Sequence, residues 1–156
     1  MNNVDWLTVM MVVPLIGALI VAFLPRSGAR AARPVAFAFS LVPLAIALYV
    51  WLALYDTGSS AQFQLTSTHE WIPRWGISYA LGLDGMALAM IVMAAILVPI
   101  CILAAWDDMP ADGSKDNGYF AWFLVLEAFM FGVFAATDLF LFYVFFEAML
   151  IPVYFL

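Results

Sequence analysis

The chain has 156 residues, of which 67% are hydrophobic and 10% are charged, and its formal net charge is −6. A charged fraction this low excludes an ordinary soluble domain, in which about a quarter of the residues are charged. The composition also lacks the basic footprint that is typical of nucleic-acid binding.

Five apolar runs are long enough to cross a bilayer, since a hydrocarbon core about 30 Å thick takes roughly 20 helical residues. In chain order the predicted spans are residues 6–24, 35–55, 86–106, 119–137 and 139–156. Barrel strands would be short and alternate in polarity, whereas these runs are apolar on every side. The sequence therefore predicts an all-α membrane protein with five transmembrane helices. The first run is interpreted as a retained span, because no basic residue precedes it as in a secretory signal.

The distribution of basic residues predicts the orientation of these spans. Three of the five basic residues, Arg26, Arg30 and Arg33, lie in the first short loop. Arginine-rich short loops stay on the cytoplasmic side. The N-terminus and the loop of residues 56–84 are therefore expected on the outer side.

The loop of residues 56–84 is the only sizeable segment expected to be exposed to water. Residues 62–68 and 77–81 have strand-like patterns, and residues 72–76 contain the Pro and Gly typical of a turn. The sequence predicts a short β-hairpin on the outer membrane face, between the second and third helices. His69 in this loop is interpreted as a surface residue, because no Cys or second His accompanies it as in a metal site.

Two aspartates precede predicted spans. Asp84 comes before the third span and Asp138 before the fifth. A carboxylate at this position accepts from the free N–H groups of the first helical turn. Both aspartates are therefore predicted to be helix N-caps.

Glu127 and Glu147 are the only ionisable side chains inside the five predicted spans. A charged group at the centre of a spanning helix costs about 2.5–3.5 kcal/mol on insertion scales, so it usually faces a partner or a water-filled cavity. Each glutamate follows the first residue of its span by eight positions, which is about 12 Å at 1.5 Å per residue. Both are expected near the bilayer midplane, on consecutive antiparallel helices.

The residues around the two glutamates suggest different roles. Tyr143 and Tyr154, at offsets of −4 and +7, share a helical face with Glu147, which favours a functional site there. Glu127 is surrounded by Phe and Met side chains, so it needs a partner from another helix or stays protonated. A structural interhelical hydrogen bond is the alternative for both residues. For Glu127 the structural and functional interpretations stay equally open.

Several stretches resemble a known family. These are Trp-Ile-Pro at 71–73, Gly-Ile-Ser-Tyr at 76–79, Leu-Gly-Leu-Asp-Gly at 81–85 and the run Leu-Phe-Leu-Phe-Tyr-Val-Phe-Phe-Glu-Ala-Met-Leu-Ile-Pro-Val-Tyr-Phe-Leu at 139–156. They resemble subunit M (chain 4) of bacterial proton-pumping NADH:quinone oxidoreductase, respiratory complex I. The run at 139–156 also resembles the corresponding helix of the sister subunits L and N and of cation/proton antiporter subunits.

The resemblance implies a proton-translocating subunit in the membrane arm, located in the bacterial inner membrane. The basic residues of the first loop predict that its N-terminus is on the periplasmic side. Glu147 matches the family's essential glutamate, which pairs with a lysine on a later helix, and Glu127 is a possible secondary residue. The L-type and N-type subunits and the lipid bilayer are the implied partners. Such a chain is part of an enzyme without redox chemistry of its own. NADH, FMN, iron–sulfur clusters and quinone are expected in partner subunits, since this sequence has neither a Cys cluster nor a Gly-rich nucleotide motif.

Three functional hypotheses remain open at this point. The first is the redox-driven proton pump, the second a cation/proton antiporter subunit, and the third a membrane scaffold whose glutamates only hold helices together. Family members continue with helices that carry relay lysines, and Leu156 ends an apolar run without a polar flank. We therefore expect residues 1–156 to be the N-terminal third of an antiporter-like domain.

Overall fold

The computed structural model describes residues 5–25, 31–108 and 116–156, which form five α-helices and one two-stranded antiparallel sheet. The elements in chain order are α1 (Trp6–Ala22), α2 (Ala32–Tyr49), β1 (Gln64–Ile72), β2 (Ile77–Leu83), α3 (Gly85–Ala104), α4 (Asp116–Ala135) and α5 (Leu139–Phe155). A π-helical segment, Val50–Leu54, continues α2. Each predicted apolar run is helical, with ends that differ by a few residues. The predicted loop residues Arg26 and Arg30 lie outside the described residues.

The helices differ in their capacity to cross a membrane. Among the described residues, three helical segments are long and apolar enough for a span: Ala32–Leu54, Gly85–Ala104 and Asn117–Ala135. The helices α1 and α5 are equally apolar but have 17 residues each. Length and composition therefore support three spans directly.

Three aspartates set the starts of helices. The Ala87 N–H donates to Oδ1 of Asp84 (2.7 Å), which confirms the predicted cap of α3. The N–H groups of Phe140 and Leu141 donate to Oδ1 of Asp138 (2.9 and 3.2 Å), which confirms the cap of α5. Asp5 caps α1 in the same way through the Thr8 N–H (3.3 Å), a cap that the sequence analysis did not identify.

The predicted hairpin is present between α2 and α3, with a first strand that differs from the prediction. β1 extends to Ile72, so it includes a residue assigned to the turn, while β2 begins at the predicted Ile77. The strands are joined by the 3₁₀ turn Pro73–Trp75 and by Gly76, whose φ of 67° is one that glycine adopts without strain. His69 is exposed, as predicted, but lies in β1 opposite Tyr79 rather than in a loop.

The sheet joins one end of the helical bundle, which we call the hairpin end. Oγ1 of Thr8 in α1 lies 3.1 Å from the hydroxyl of Tyr79 in β2. The Thr137 N–H, just after α4, donates to the carbonyl of Ala80 (3.0 Å). The Ser78 N–H donates to Oδ2 of Asp138 (3.4 Å). The start of α1, the end of α4 and the start of α5 therefore meet at the sheet.

The opposite end of the bundle, the far end, is marked by a second contact. The side-chain amide of Asn117, in the first turn of α4, donates to the carbonyl of Leu24, just after α1. Their N–O distance is 2.8 Å. Consecutive helices thus run in alternating directions, and residues 5–25 and 116–135 are antiparallel neighbours.

Two clusters of buried apolar side chains fill the bundle, one towards each end. The hairpin-end cluster consists of Leu7, Met10, Met11, Ala47, Val50, Leu81, Leu83, Leu88, Ile91, Ala94, Ala95, Phe131, Ala135 and Leu141. The far-end cluster consists of Ala18, Val21, Ala32, Ala36, Val98, Ile102, Ala105, Phe120, Ala121 and Leu124. The central helix α4 packs against all four other helices, whereas α5 packs mainly against α4 and β2. The fifth helix is therefore peripheral.

Candidate functional site

Glu127 is completely buried, with 0% of its surface exposed. It lies on one face of α4 with the buried side chains of Phe120, Leu124 and Phe131, at helical spacings of three and four residues. Neither carboxyl oxygen has a hydrogen-bond partner among the described residues. A buried polar group without a partner is rare enough in native proteins to need an explanation.

Glu127 lies at the boundary between the two apolar clusters. On the same face of α4, Leu124 belongs to the far-end cluster and Phe131 to the hairpin-end cluster. Ser40 in α2 is the other fully buried polar side chain in the described part of the chain, and its hydroxyl donates to the carbonyl of Phe37 (2.7 Å). Ser40 likewise follows a far-end residue, Ala36, by one turn.

Glu147 has different surroundings, because it is exposed on α5. Tyr143 and Tyr154, predicted on the same helical face, are 58% and 84% exposed. The three side chains thus form an exposed acidic and phenolic surface on an otherwise apolar helix, which we call the Glu147 face. A carboxylate there can accept hydrogen bonds, pair with a cation or exchange a proton with water.

The opposite side of α5 packs tightly on α4. A Cβ atom at Gly132 would lie 2.8 Å from Cγ of Phe145, so the absence of a side chain there allows the contact. The rings of Trp122 and Phe155 stack with centroids 4.9 Å apart. Glu127 and Glu147 both lie between these two contacts along their helices. Both glutamates therefore lie within the length over which α4 and α5 pack together, but one carboxyl is inside the bundle and the other on its surface.

A third polar group, at the hairpin end, was not identified from the sequence. The hydroxyl of Thr8 donates to Oδ2 of Asp5 (2.8 Å) and lies next to the Tyr79 hydroxyl. Burial raises the pKa of Tyr79 above its ordinary value; the bond to Thr8 lowers it, and the charge of Asp5 raises it further. The only signal in the sequence was the Asp5–Thr8 spacing, typical of an N-cap. Contact with Tyr79 depends on the fold.

The described residues include no group of three or more His, Cys, Asp or Glu side chains that could hold a metal ion. No protein-family model matches the chain.

Relatives with assigned names do match it. Subunit M of the NADH-quinone oxidoreductase of Mycobacterium tuberculosis is 35% identical over 182 aligned positions, covering 100% of this chain and 32% of the relative. Over its whole length, the chain is similar to complex I subunit M. It spans about a third of the length of this relative.

Solved structures agree with this similarity. A chain of respiratory complex I from Thermus thermophilus, solved with bound NADH, superposes with a TM-score of 0.72 at 26% identity, covering 94% of this chain and 27% of that one. A chain of the Mrp complex from Dietzia superposes with a TM-score of 0.77 at 24% identity, covering 96% of this chain and 15% of that one. The second likeness concerns the fold alone. The long apolar helices and these likenesses together support a membrane-protein fold.

Proposed function

We propose that this chain is part of a proton-translocating membrane-arm subunit of NADH:quinone oxidoreductase. The observation that carries the proposal is the similarity to subunit M along the whole chain, including the helix that bears Glu147. The exposure of Glu147 in the described residues supports it, because an acidic side chain on an apolar helix needs a polar partner in the membrane.

In this proposal Glu147 is the residue that takes part in proton transfer. The family resemblance assigns its partner as a lysine on a later helix. A change in the protonation of one member alters the electrostatic energy of the other, because the dielectric constant between them is low. The exposed hydroxyls of Tyr143 and Tyr154 extend a polar path along the same face. Residues 1–156 would thus supply one half of an ion pair.

The proposed topology has five spans, with the N-terminus and the hairpin on the periplasmic side. At 17 residues, α1 and α5 are each about 26 Å long, slightly shorter than a hydrocarbon core of about 30 Å. Thinning of the bilayer or packing against neighbouring helices compensates for such a mismatch. At the hairpin end, the start of α1 contacts the hairpin. This contact supports a topology in which the N-terminus and the hairpin lie on the same side of the membrane.

The orientation is tested by labelling engineered cysteines with a membrane-impermeant thiol reagent, after Cys101→Ala removes the native cysteine. In spheroplasts, we expect Ser60→Cys to react and Gly28→Cys to react only after permeabilisation. The reverse pattern would overturn the orientation.

Electron transfer is assigned to other subunits. NADH, FMN, iron–sulfur clusters and quinone would bind there, and the L-type and N-type antiporter-like subunits would be neighbours in the membrane arm. This chain would contribute a proton path that responds to quinone reduction elsewhere.

A cation/proton antiporter subunit is the second candidate, favoured by the likeness of the fold to a chain of the Mrp complex. The two functions are separated by purifying the native complex through a tag on this subunit. Complex I predicts recovery of flavin and iron–sulfur subunits together with NADH–quinone activity. Recovery of cation/proton exchange without these subunits would establish the antiporter instead.

A further inference from the structure

Each of the helices α1, α2 and α3 contains one buried proline in its interior. These prolines are Pro14, Pro43 and Pro99. A proline has no N–H, so the carbonyl four residues earlier loses its regular helical donor. The three carbonyls affected belong to Met10, Phe39 and Ala95.

These breaks in the helical bonding lie near the level of Glu127. In α1, Pro14 falls between Met11 of the hairpin-end cluster and Ala18 of the far-end cluster. In α3, Ala95 is the last residue of the hairpin-end cluster before Val98 of the far-end cluster. All three helices pack against α4, and Glu127 occupies the same boundary.

Two polar groups of α2, the Ser40 hydroxyl and the Phe39 carbonyl, also lie near this boundary. Ser40 and Pro43 are both buried and lie between Ala36 of the far-end cluster and Ala47 of the hairpin-end cluster. The carbonyl released by Pro43, that of Phe39, is adjacent to Ser40 in the chain. The helices α2 and α4 both start at the far end. Ser40 follows the far-end residue Ala36 by four positions, and Glu127 follows the far-end residue Leu124 by three.

The chemistry of these groups is complementary. The carbonyls are acceptors without their regular helical donors, and the carboxyl of Glu127 has no partner among the described residues. An unpaired carboxylate would be strongly disfavoured in such surroundings, whereas a neutral carboxylic acid can donate as well as accept. Buried polar groups that protein atoms leave unsatisfied are typically bridged by ordered water.

We propose that Glu127 is a neutral carboxylic acid at the centre of a buried water-binding site between α1, α2, α3 and α4, completed by the Ser40 hydroxyl and the carbonyls that the three prolines release. The site interrupts the dry interior between the two apolar clusters. It is separate from the Glu147 face, on the other side of the α4–α5 contact, and it does not depend on the proposed function.

Cysteine accessibility in the intact complex tests for water at this site, because methanethiosulfonate reagents react with the thiolate and so need water at the sulfur. In the Cys101→Ala background, we expect Glu127→Cys to react several-fold faster than Leu124→Cys and Phe131→Cys, its matched controls on the same face of α4. If Glu127→Cys does not assemble, Ser40→Cys is compared with Ala36→Cys on the same criterion. Equal rates within the pair tested would overturn the proposal.

A pair of substitutions at the same position tests the donor role. Glu127→Gln retains side-chain N–H donors for the released carbonyls, whereas Glu127→Leu fills the space without them. We expect the Gln variant to assemble like the wild type and the Leu variant to give a several-fold lower yield of intact complex. Full assembly of the Leu variant, or a lower yield for Gln than for Leu, would contradict a hydrated site with a neutral donor.

Discussion

The helices α4 and α5 are antiparallel neighbours that carry one glutamate each, and the surroundings of the two carboxyls are opposite. Glu127 is fully buried in the bundle, whereas Glu147 is exposed on the side of α5 that does not face α4. Both residues appear in the sequence as a single acidic group in an apolar run. The comparison shows that the position of a residue along a helix and its direction within the bundle are independent, and that the direction determines which groups the carboxyl can contact.

The separation of the two glutamates depends on the close contact between α4 and α5. In Gly132→Ala, the added Cβ would lie 2.8 Å from Cγ of Phe145, so the helices have to move apart. Such overpacking costs about 1–3 kcal/mol, and we expect a clearly lower midpoint for thermal disassembly of the complex. Gly118→Ala, in the same helix with nothing within 4 Å of the added Cβ, is the control and should be neutral or stabilising. A similar loss in both variants would show that the contact with α5 is not the cause.

Removing the cap of α5 destabilises the helix that carries the Glu147 face, without changing a residue of α4, which carries Glu127. Asp138→Ala removes the acceptor of two backbone N–H groups at the start of the helix. The expected cost is about 1 kcal/mol of stability, measured as a lower disassembly midpoint. Asp138→Asn keeps a side-chain oxygen and should retain most of the stability. An Asn variant as unstable as the Ala variant would indicate that the charge, rather than the cap, is what matters.

The polar group at the hairpin end is expected to matter least. Tyr79→Phe removes its bond to Thr8, a loss of about 0.5–1.5 kcal/mol for a neutral hydrogen bond. The contribution of Tyr79 is recognised by the way the stability of the protein depends on pH. Because burial raises the pKa of Tyr79 above 10.0, the stability it contributes is complete below that pH and is lost as the pH rises through the raised pKa.

The measurement is the unfolding midpoint of the purified complex as a function of alkaline pH. We expect Tyr79→Phe to flatten the decline above pH 10. An unchanged decline in Tyr79→Phe would contradict the role given to burial.

Sequence patterns predicted the helices because hydrophobicity over about 20 residues is a strong local signal. The caps at Asp84 and Asp138 were also predictable, since a cap involves only neighbouring residues. The extent of β1 was not, because strand ends are determined by pairing with β2 rather than by the pattern of one strand. The burial of Glu127 and the exposure of Glu147 depend on which helices surround α4 and α5. The tyrosines near Glu147 and the Phe and Met side chains near Glu127 indicated different roles, but no local pattern predicted which carboxyl is buried.

Charge-neutralising substitution of the two glutamates, side by side, tests the distinction between them most directly. Glutamine keeps the shape of glutamate and most of its hydrogen bonding, but it cannot ionise. In the proposed pair, removing one charge leaves the other uncompensated at a cost of about 3–5 kcal/mol, which holds the partner in its neutral form. The measurement is the number of protons taken up per electron transferred to quinone in vesicles, normalised to assembled complex. We predict that Glu147→Gln reduces this ratio to a small fraction of the wild-type value and that Glu127→Gln leaves most of it. Wild-type uptake in Glu147→Gln, or an equal loss in both variants, would contradict the distinction.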